Sequence, residues 1–118
     1  MVTNKVTGGC HCGAVRFEAD VDLSEVNECN CSHCQKKGFL LAFTPADNFR
    51  LLSGKDKLTE YRFNKKTIGH LFCSLCGVQP FGRGATPDGG EMAAVNARCV
   101  DDIDLASLKR ISVNGKSF

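Results

Sequence analysis

Cys73-Ser74-Leu75-Cys76-Gly77 is a C-x2-C pair closed by a glycine, and it finds its counterpart far back in the chain at Cys10-His11-Cys12-Gly13. A C-x2-C needs a turn to bring its sulfurs together, and Gly77 is the residue that tolerates left-handed backbone where such a turn closes. If Cys10 and Cys12 lie on extended chain, alternation points both sulfurs to one face and His11 to the other. Two such pairs supply the four thiolates of a closed tetrahedral zinc site. Because the pairs are distant in sequence, one ion joining them would close most of the chain into a loop, so that metal binding contributes directly to folding.

Between them stands a third cluster, Cys29-Asn30-Cys31-Ser32-His33-Cys34, followed by Lys36, Lys37 and Gly38. Its three thiolates come from one short segment and leave a position open, and an open position on zinc is where chemistry takes place. Seven of the eight cysteines therefore divide four and three, which predicts two zinc ions per chain. Spacing alone leaves other pairings of the clusters open. It also leaves Cys99, His33, His70 and His11 as candidates for the fourth position of the triplet. His33, inside the triplet, is in addition a candidate base. A secreted disulfide scaffold would also be cysteine-rich, but Met1-Val2-Thr3-Asn4-Lys5 runs straight into polar and glycine residues with no apolar leader. A reducing cytoplasmic setting, and thiols acting as metal ligands, is the expectation. An iron–sulfur cluster would call for a C-x2-C-x2-C run, which the chain lacks.

Length predicts one domain over residues 1–118, small enough to gain much from metal cross-links. No stretch is apolar enough to cross a membrane. The formal charge is +2, and seven thiolates holding two divalent ions would bring it to −1, which gives no support to nucleic-acid binding.

The period along the chain is mostly two. Val15, Phe17, Ala19 and Val21 alternate with Arg16, Glu18 and Asp20, which predicts a half-buried strand leaving the first cysteine pair. Further strands are predicted over 39–43, 49–52, 58–63, 68–73 and 92–95, with Ser53-Gly54-Lys55-Asp56 read as a hairpin turn. Gly82, Gly84, Gly89 and Gly90, with Thr86-Pro87-Asp88, read as a loose connection rather than a phosphate cradle. Helix is confined to short turns, one capped by Asp104 and one after Cys34. The fold class is mainly β.

Gly8-Gly9-Cys10-His11-Cys12-Gly13-Ala14-Val15-Arg16-Phe17, the Cys29–Cys34 triplet, the stretch from His70 to Phe81 and Val95-Asn96-Ala97-Arg98-Cys99-Val100-Asp101-Asp102 together resemble the glutathione-dependent formaldehyde-activating enzyme family, also called GFA/CENP-V. The resemblance spans nearly the whole chain and keeps the order of the motifs. It implies an Mss4-like (β-tent) fold with two zinc sites, Cys10, Cys12, Cys73 and Cys76 as structural ligands and Cys29, Cys31 and Cys34 as catalytic ones. It also implies a carbon–sulfur lyase that joins glutathione to formaldehyde as S-hydroxymethylglutathione. The motifs that match do not include glutathione-contacting positions.

A Zn(Cys)3 unit has formal charge −1, and Lys36, Lys37, Arg62 or Arg83 are candidates to offset it or to hold a substrate carboxylate. Asn96 and Arg98 are candidates to buttress a site, and Cys99 reads as a small buried side chain. The competing reading is a non-catalytic zinc-binding interaction module in which the triplet is a second closed site. An exchangeable ligand at the triplet separates the two.

Overall fold

The computed structural model describes residues 4–62, 68–86 and 88–114. Its strands are β1 (Asn4–Gly9), β2 (Arg16–Val21), β3 (Glu25–Cys29), β4 (Leu41–Pro45), β5 (Phe49–Ser53), β6 (Leu58–Tyr61), β7 (Ile68–Cys73), β8 (Phe81–Ala85), β9 (Glu91–Asn96) and β10 (Lys109–Val113). The one α-helix among the described residues, α1 (Ser32–Lys37), lies between β3 and β4, and short 3-10 turns cover Ala46–Asn48, Lys55–Lys57, Ala97–Cys99 and Leu105–Ser107. The mainly β, Mss4-like class expected from the sequence is the class observed.

The strands form two sheets. A three-stranded antiparallel sheet runs β1-β2-β5, and a seven-stranded one runs β10-β3-β4-β9-β8-β7-β6, antiparallel throughout except that β10 lies parallel to β3. Alternation explains how they pack: Phe17, Ala19 and Val21 point inward from β2 and are fully buried, while Ala42, Phe81, Ala93 and Val95 point inward from the larger sheet. Phe49 is the hinge of this core. Its ring lies 5.3 Å from that of Phe17 in its own sheet and 4.4 Å from that of Phe81 in the other.

Several sequence readings change. Ser53-Gly54-Lys55-Asp56 does not close a hairpin, because β5 pairs with β2 and β6 pairs with β7. Leu51 is opposite Phe17 and Leu58 is opposite Cys73, so the two flanking strands serve different sheets and the segment carries the chain from one to the other. Gly82 and Gly84 are not loop residues but lie within β8, between β7 and β9. Strands β1, β3 and β10 were not expected, since their side chains are largely polar and exposed and give no alternation to read. The strand predicted over 58–63 is observed to Tyr61, Phe63 lies outside the described residues, and so does Pro87 of the predicted connection. Asp104 caps its turn as expected, accepting from the N–H of Ala106 at 3.2 Å.

Candidate metal centres and the cavities beside α1

The two distant cysteine pairs meet. The ligand atoms of Cys10, Cys12, Cys73 and Cys76 all lie within 4.8 Å of one another. Cys10 and Cys12 do not sit on extended chain as anticipated. They sit on the β1–β2 turn, where the N–H of Gly13 donates to the carbonyl of Cys10 at 3.3 Å and Gly13 takes φ 84°. Cys73 ends β7, and the N–H of Gly77 donates to its carbonyl at 2.8 Å with φ 81° at the glycine, as the sequence predicted for that knuckle. Both knuckles are then tied back the same way, Cys10 N–H to Val15 O at 3.1 Å and Cys73 N–H to Val78 O at 2.9 Å.

Whether such a group fits a metal is decided by its own geometry. Four sulfurs at about 2.3 Å from a tetrahedral ion lie about 3.8 Å apart, and the Cys10–Cys12 and Cys12–Cys73 sulfur separations are 3.6 and 3.7 Å. Backbone N–H groups aim at the sulfurs as they do at thiolates, Val15 at Cys10 (3.3 Å) and Leu75 at Cys73 (3.4 Å). The N–H groups of Val78 and then Cys12 pull the Cys76 thiol down to about 6. This group can hold a metal ion.

The triplet gathers Cys29 at the end of β3, Cys31 as the N-cap of α1 and Cys34 inside the helix, again with ligand atoms within 4.8 Å of one another. Capping does the positioning. Cys31 Sγ accepts from the N–H of Cys34 at 3.3 Å, and Cys29 Sγ accepts from the N–H of Cys31 at 3.4 Å. Gly38 ends the helix at φ 71°, with its N–H on Cys34 O at 2.9 Å. Burial, followed by Cys31 and Cys29, pushes the Cys34 thiol well up. A divalent cation would offset the burial and the neighbouring sulfurs that oppose ionisation of Cys34, so the triplet too can hold a metal ion.

Among the described residues no histidine, cysteine or carboxylate joins the triplet as a fourth ligand. His11 is exposed on the β1–β2 turn. Cys99, read as a buried side chain, is only half-buried; it donates to Gln79 O at 3.6 Å, and desolvation pushes its thiol up to about 11. His33 and His70 instead face each other, ring centres 4.2 Å apart, with Tyr61 and Phe39 each 5.5 Å from His33. His70 Nδ1 lies 3.5 Å from Gln79 Nε2, and burial, then the charges of His33, Lys37 and Arg62, lowers it to about 4. Asn96 Nδ2 donates to Gln79 O at 2.9 Å, and Arg98 Nε donates to Gly38 O at 2.7 Å at the end of α1. Arg62 is paired with Glu60 at 2.9 Å. Arg83 lies opposite Gly69 and Ala93, on the other face of β8 from Gly82 and His70, and so away from α1.

Two cavities flank the helix. One of about 400 Å3 opens on Cys29 and Cys34 and is walled by Glu28, Asn30, Gln35 and Asn114 among others. The other, about 520 Å3, is lined by Ser32, His33, Lys36, Lys37, Tyr61 and Phe72. Tyr61 and Phe72 had not been singled out from the sequence. The signal available was period two, since Phe72 follows His70 by two residues on the same strand face, and Tyr61 is paired with His70 across β6 and β7.

Residues 5–113 match the family model of the glutathione-dependent formaldehyde-activating enzyme. The chain belongs to this family. A crystal structure of a Rhodobacter sphaeroides protein is similar over 90% of this chain and 97% of that one, with 28% identity and a TM-score of 0.79. Glutathione-dependent activation of formaldehyde is thus the activity of the family to which the two cysteine groups belong. Among the described residues no helix is long and apolar enough to cross a membrane.

Proposed function

We propose that this protein is a zinc-dependent carbon–sulfur lyase that joins a thiol such as glutathione to formaldehyde or a related small aldehyde, and acts in a reducing, cytoplasmic setting. One observation carries the reading: four sulfurs converge in one group, whereas three converge in the other, which opens onto a cavity through Cys29 and Cys34. In this reading Cys10, Cys12, Cys73 and Cys76 hold a structural zinc, and Cys29, Cys31 and Cys34 hold a catalytic one. Zinc bound by the triplet favours the thiolate form of a coordinating thiol at neutral pH. The chain's own contribution is to fix the sulfurs of Cys29 and Cys31 by two backbone N–H bonds, one of them the N-cap of α1, to carry Cys34 within the helix, and to leave one side of the group accessible. In the addition, sulfur forms the new bond to carbon, the carbonyl π pair moves to oxygen, and oxygen takes up one proton to replace the one the thiol gave up. The reverse reaction breaks the same C–S bond.

The adduct also forms unaided, so the test is a rate. Exchange between free aldehyde and adduct, followed by NMR, is expected to be faster with the protein than in buffer and to return to the buffer rate with Cys31→Ser. No acceleration with formaldehyde or any small aldehyde would remove the lyase reading and leave a metal-dependent interaction module.

A further inference from the structure

The two faces of α1 differ in charge. At about 100° per residue, Ser32, His33, Lys36 and Lys37 fall on one side of the helix and Cys34 and Gln35 on the other, which is how they divide between the two cavities. The cavity at Cys29 and Cys34 has no Lys, Arg or His among its described lining residues, and it carries a carboxylate, Glu28, which lies 3.6 Å from Arg110. The opposite cavity carries two ammonium groups. Both lysines are exposed, and among the described residues neither has a carboxylate partner within ion-pair distance. The other cations near the helix are engaged: Arg62 with Glu60, Arg98 with Gly38 O and Arg110 with Glu28. Lys37 Nζ stands 5.4 Å over the ring of Phe72, and half-exposed Tyr61 lines the same cavity, so the cations are set against aromatic walls.

An anionic thiol has an electrostatic problem at a group of three thiolates and one divalent ion, whose formal charge is already −1. Its carboxylates gain nothing from the Glu28 side. On the Lys36 side they meet two cations that have no carboxylate partner among the described residues, the nearer about 6 Å along the helix from Ser32, the residue that follows Cys31. We propose that this cavity is the carboxylate-recognition half of the thiol site, where Lys36 and Lys37 make the protein select anionic thiols over thiols of similar size without carboxylates. Tyr61 and Phe72 pack against the apolar part of the bound thiol. The inference rests on the lyase reading and adds to it the residues that choose the thiol.

Calorimetric titration of the metal-loaded protein tests it with three probes: glutathione, its dimethyl ester and 2-mercaptoethanol. The ester is a cation, which the triplet alone would favour, so a preference for glutathione isolates the lysines. The wild type is expected to bind glutathione about tenfold more tightly than the ester, the sum of two partly exposed ion pairs. The preference should shrink as salt screens it. Lys36→Gln/Lys37→Gln should abolish it, Lys36→Arg/Lys37→Arg should keep it, and neither should change binding of 2-mercaptoethanol. Both lysines are exposed, so the variants are expected to fold, which circular dichroism checks. Equal wild-type affinity for glutathione and ester, or a preference that survives in the glutamine variant, overturns this inference and leaves the lyase reading standing. If none of the three thiols binds the wild type, the lyase reading falls and takes this one with it.

Discussion

Cys12 Sγ lies 3.7 Å from Cys73 Sγ across 61 residues of chain, and the contact joins the turn of the small sheet to the end of β7 in the large one. The two sheets also meet through apolar packing around Phe49 and through Thr44 Oγ1 of β4, which donates to Asp20 O of β2 at 2.8 Å, so an ion at this group would add a cross-link between them at a separate point. The triplet is different in kind. Its three cysteines span six residues around the start of α1 and cross-link nothing distant.

That difference predicts unequal variants. The wild type is expected to carry two zinc ions per chain by elemental analysis. Cys10→Ser or Cys76→Ser should unfold much of the chain, because an ion binding only the native state stabilises folding by its own binding free energy. Cys31→Ser should remain folded, retain one zinc and lose activity. Circular dichroism and thermal melts decide between these outcomes. Equal loss of folding in both kinds of variant would mean that both groups are structural.

A second prediction concerns the crossing from β5 to β6. Gly54 adopts φ 87°, and a Cβ there would stand 2.4 Å from Ala14 O and 2.7 Å from Val15 Cα, both backbone atoms. Gly54→Ala combines a left-handed alanine with a clash that only backbone movement relieves, and is expected to cost about 3 kcal/mol. Gly13→Ala, at φ 84° with nothing within 4 Å, has the first defect alone and should cost about 1 kcal/mol. Urea titrations of the two variants measure the difference, and equal losses would contradict the packing argument.

The cysteine pattern was readable because metal geometry demands close sulfurs, and the spacing of C-x-C, C-x2-C and the triplet records that demand directly. The strands around Phe17, Phe49 and Val95 were readable for a similar reason, since one buried face enforces alternation. β8 was not, because Gly82 and Gly84 present no side chain to alternate, although Gly82 lies between His70 and Ala94 in adjacent strands. The false hairpin at Gly54 has the same origin. A turn signal records that the chain bends, and only the partners of Leu51 and Leu58 decide which sheet each strand joins. The Lys36–Tyr61 cavity is formed by segments distant in sequence, so no local motif could announce it.

The third prediction uses His70. Burial, with the nearby charges of His33, Lys37 and Arg62, holds its folded pKa at about 4, below the ordinary value of 6.5. Between those values the unfolded chain binds the proton more readily, so the contribution of a neutral His70 is fully present above the unfolded pKa and is lost as pH falls towards 4. Allowing for solvent screening, about 1 kcal/mol should disappear between about pH 7.5 and about pH 5. His70→Gln removes the titrating group, so its urea stability should fall less steeply over that range, with metal content checked at each pH. Parallel slopes in the two proteins would place His70 in contact with water.

The last prediction addresses the triplet itself. Cys29, Cys31 and Cys34 supply three sulfurs, and among the described residues no histidine, cysteine or carboxylate joins the group as a fourth ligand. A cavity gives solvent access to Cys29 and Cys34, so an added thiol has a route to the group. X-ray absorption on zinc-loaded Cys10→Ser protein would be compromised by unfolding, and the measurement therefore belongs on the wild type, where the four-cysteine group contributes a constant four sulfurs. Averaged over two ions, the sulfur count is expected to rise from about 3.5 to about 4 when glutathione is added, with release of the thiol proton. Cys31→Ser should show no such rise. A wild-type count of four before any thiol is added would mean that the triplet is already closed by sulfur, and the exchangeable position on which the lyase reading depends would be absent.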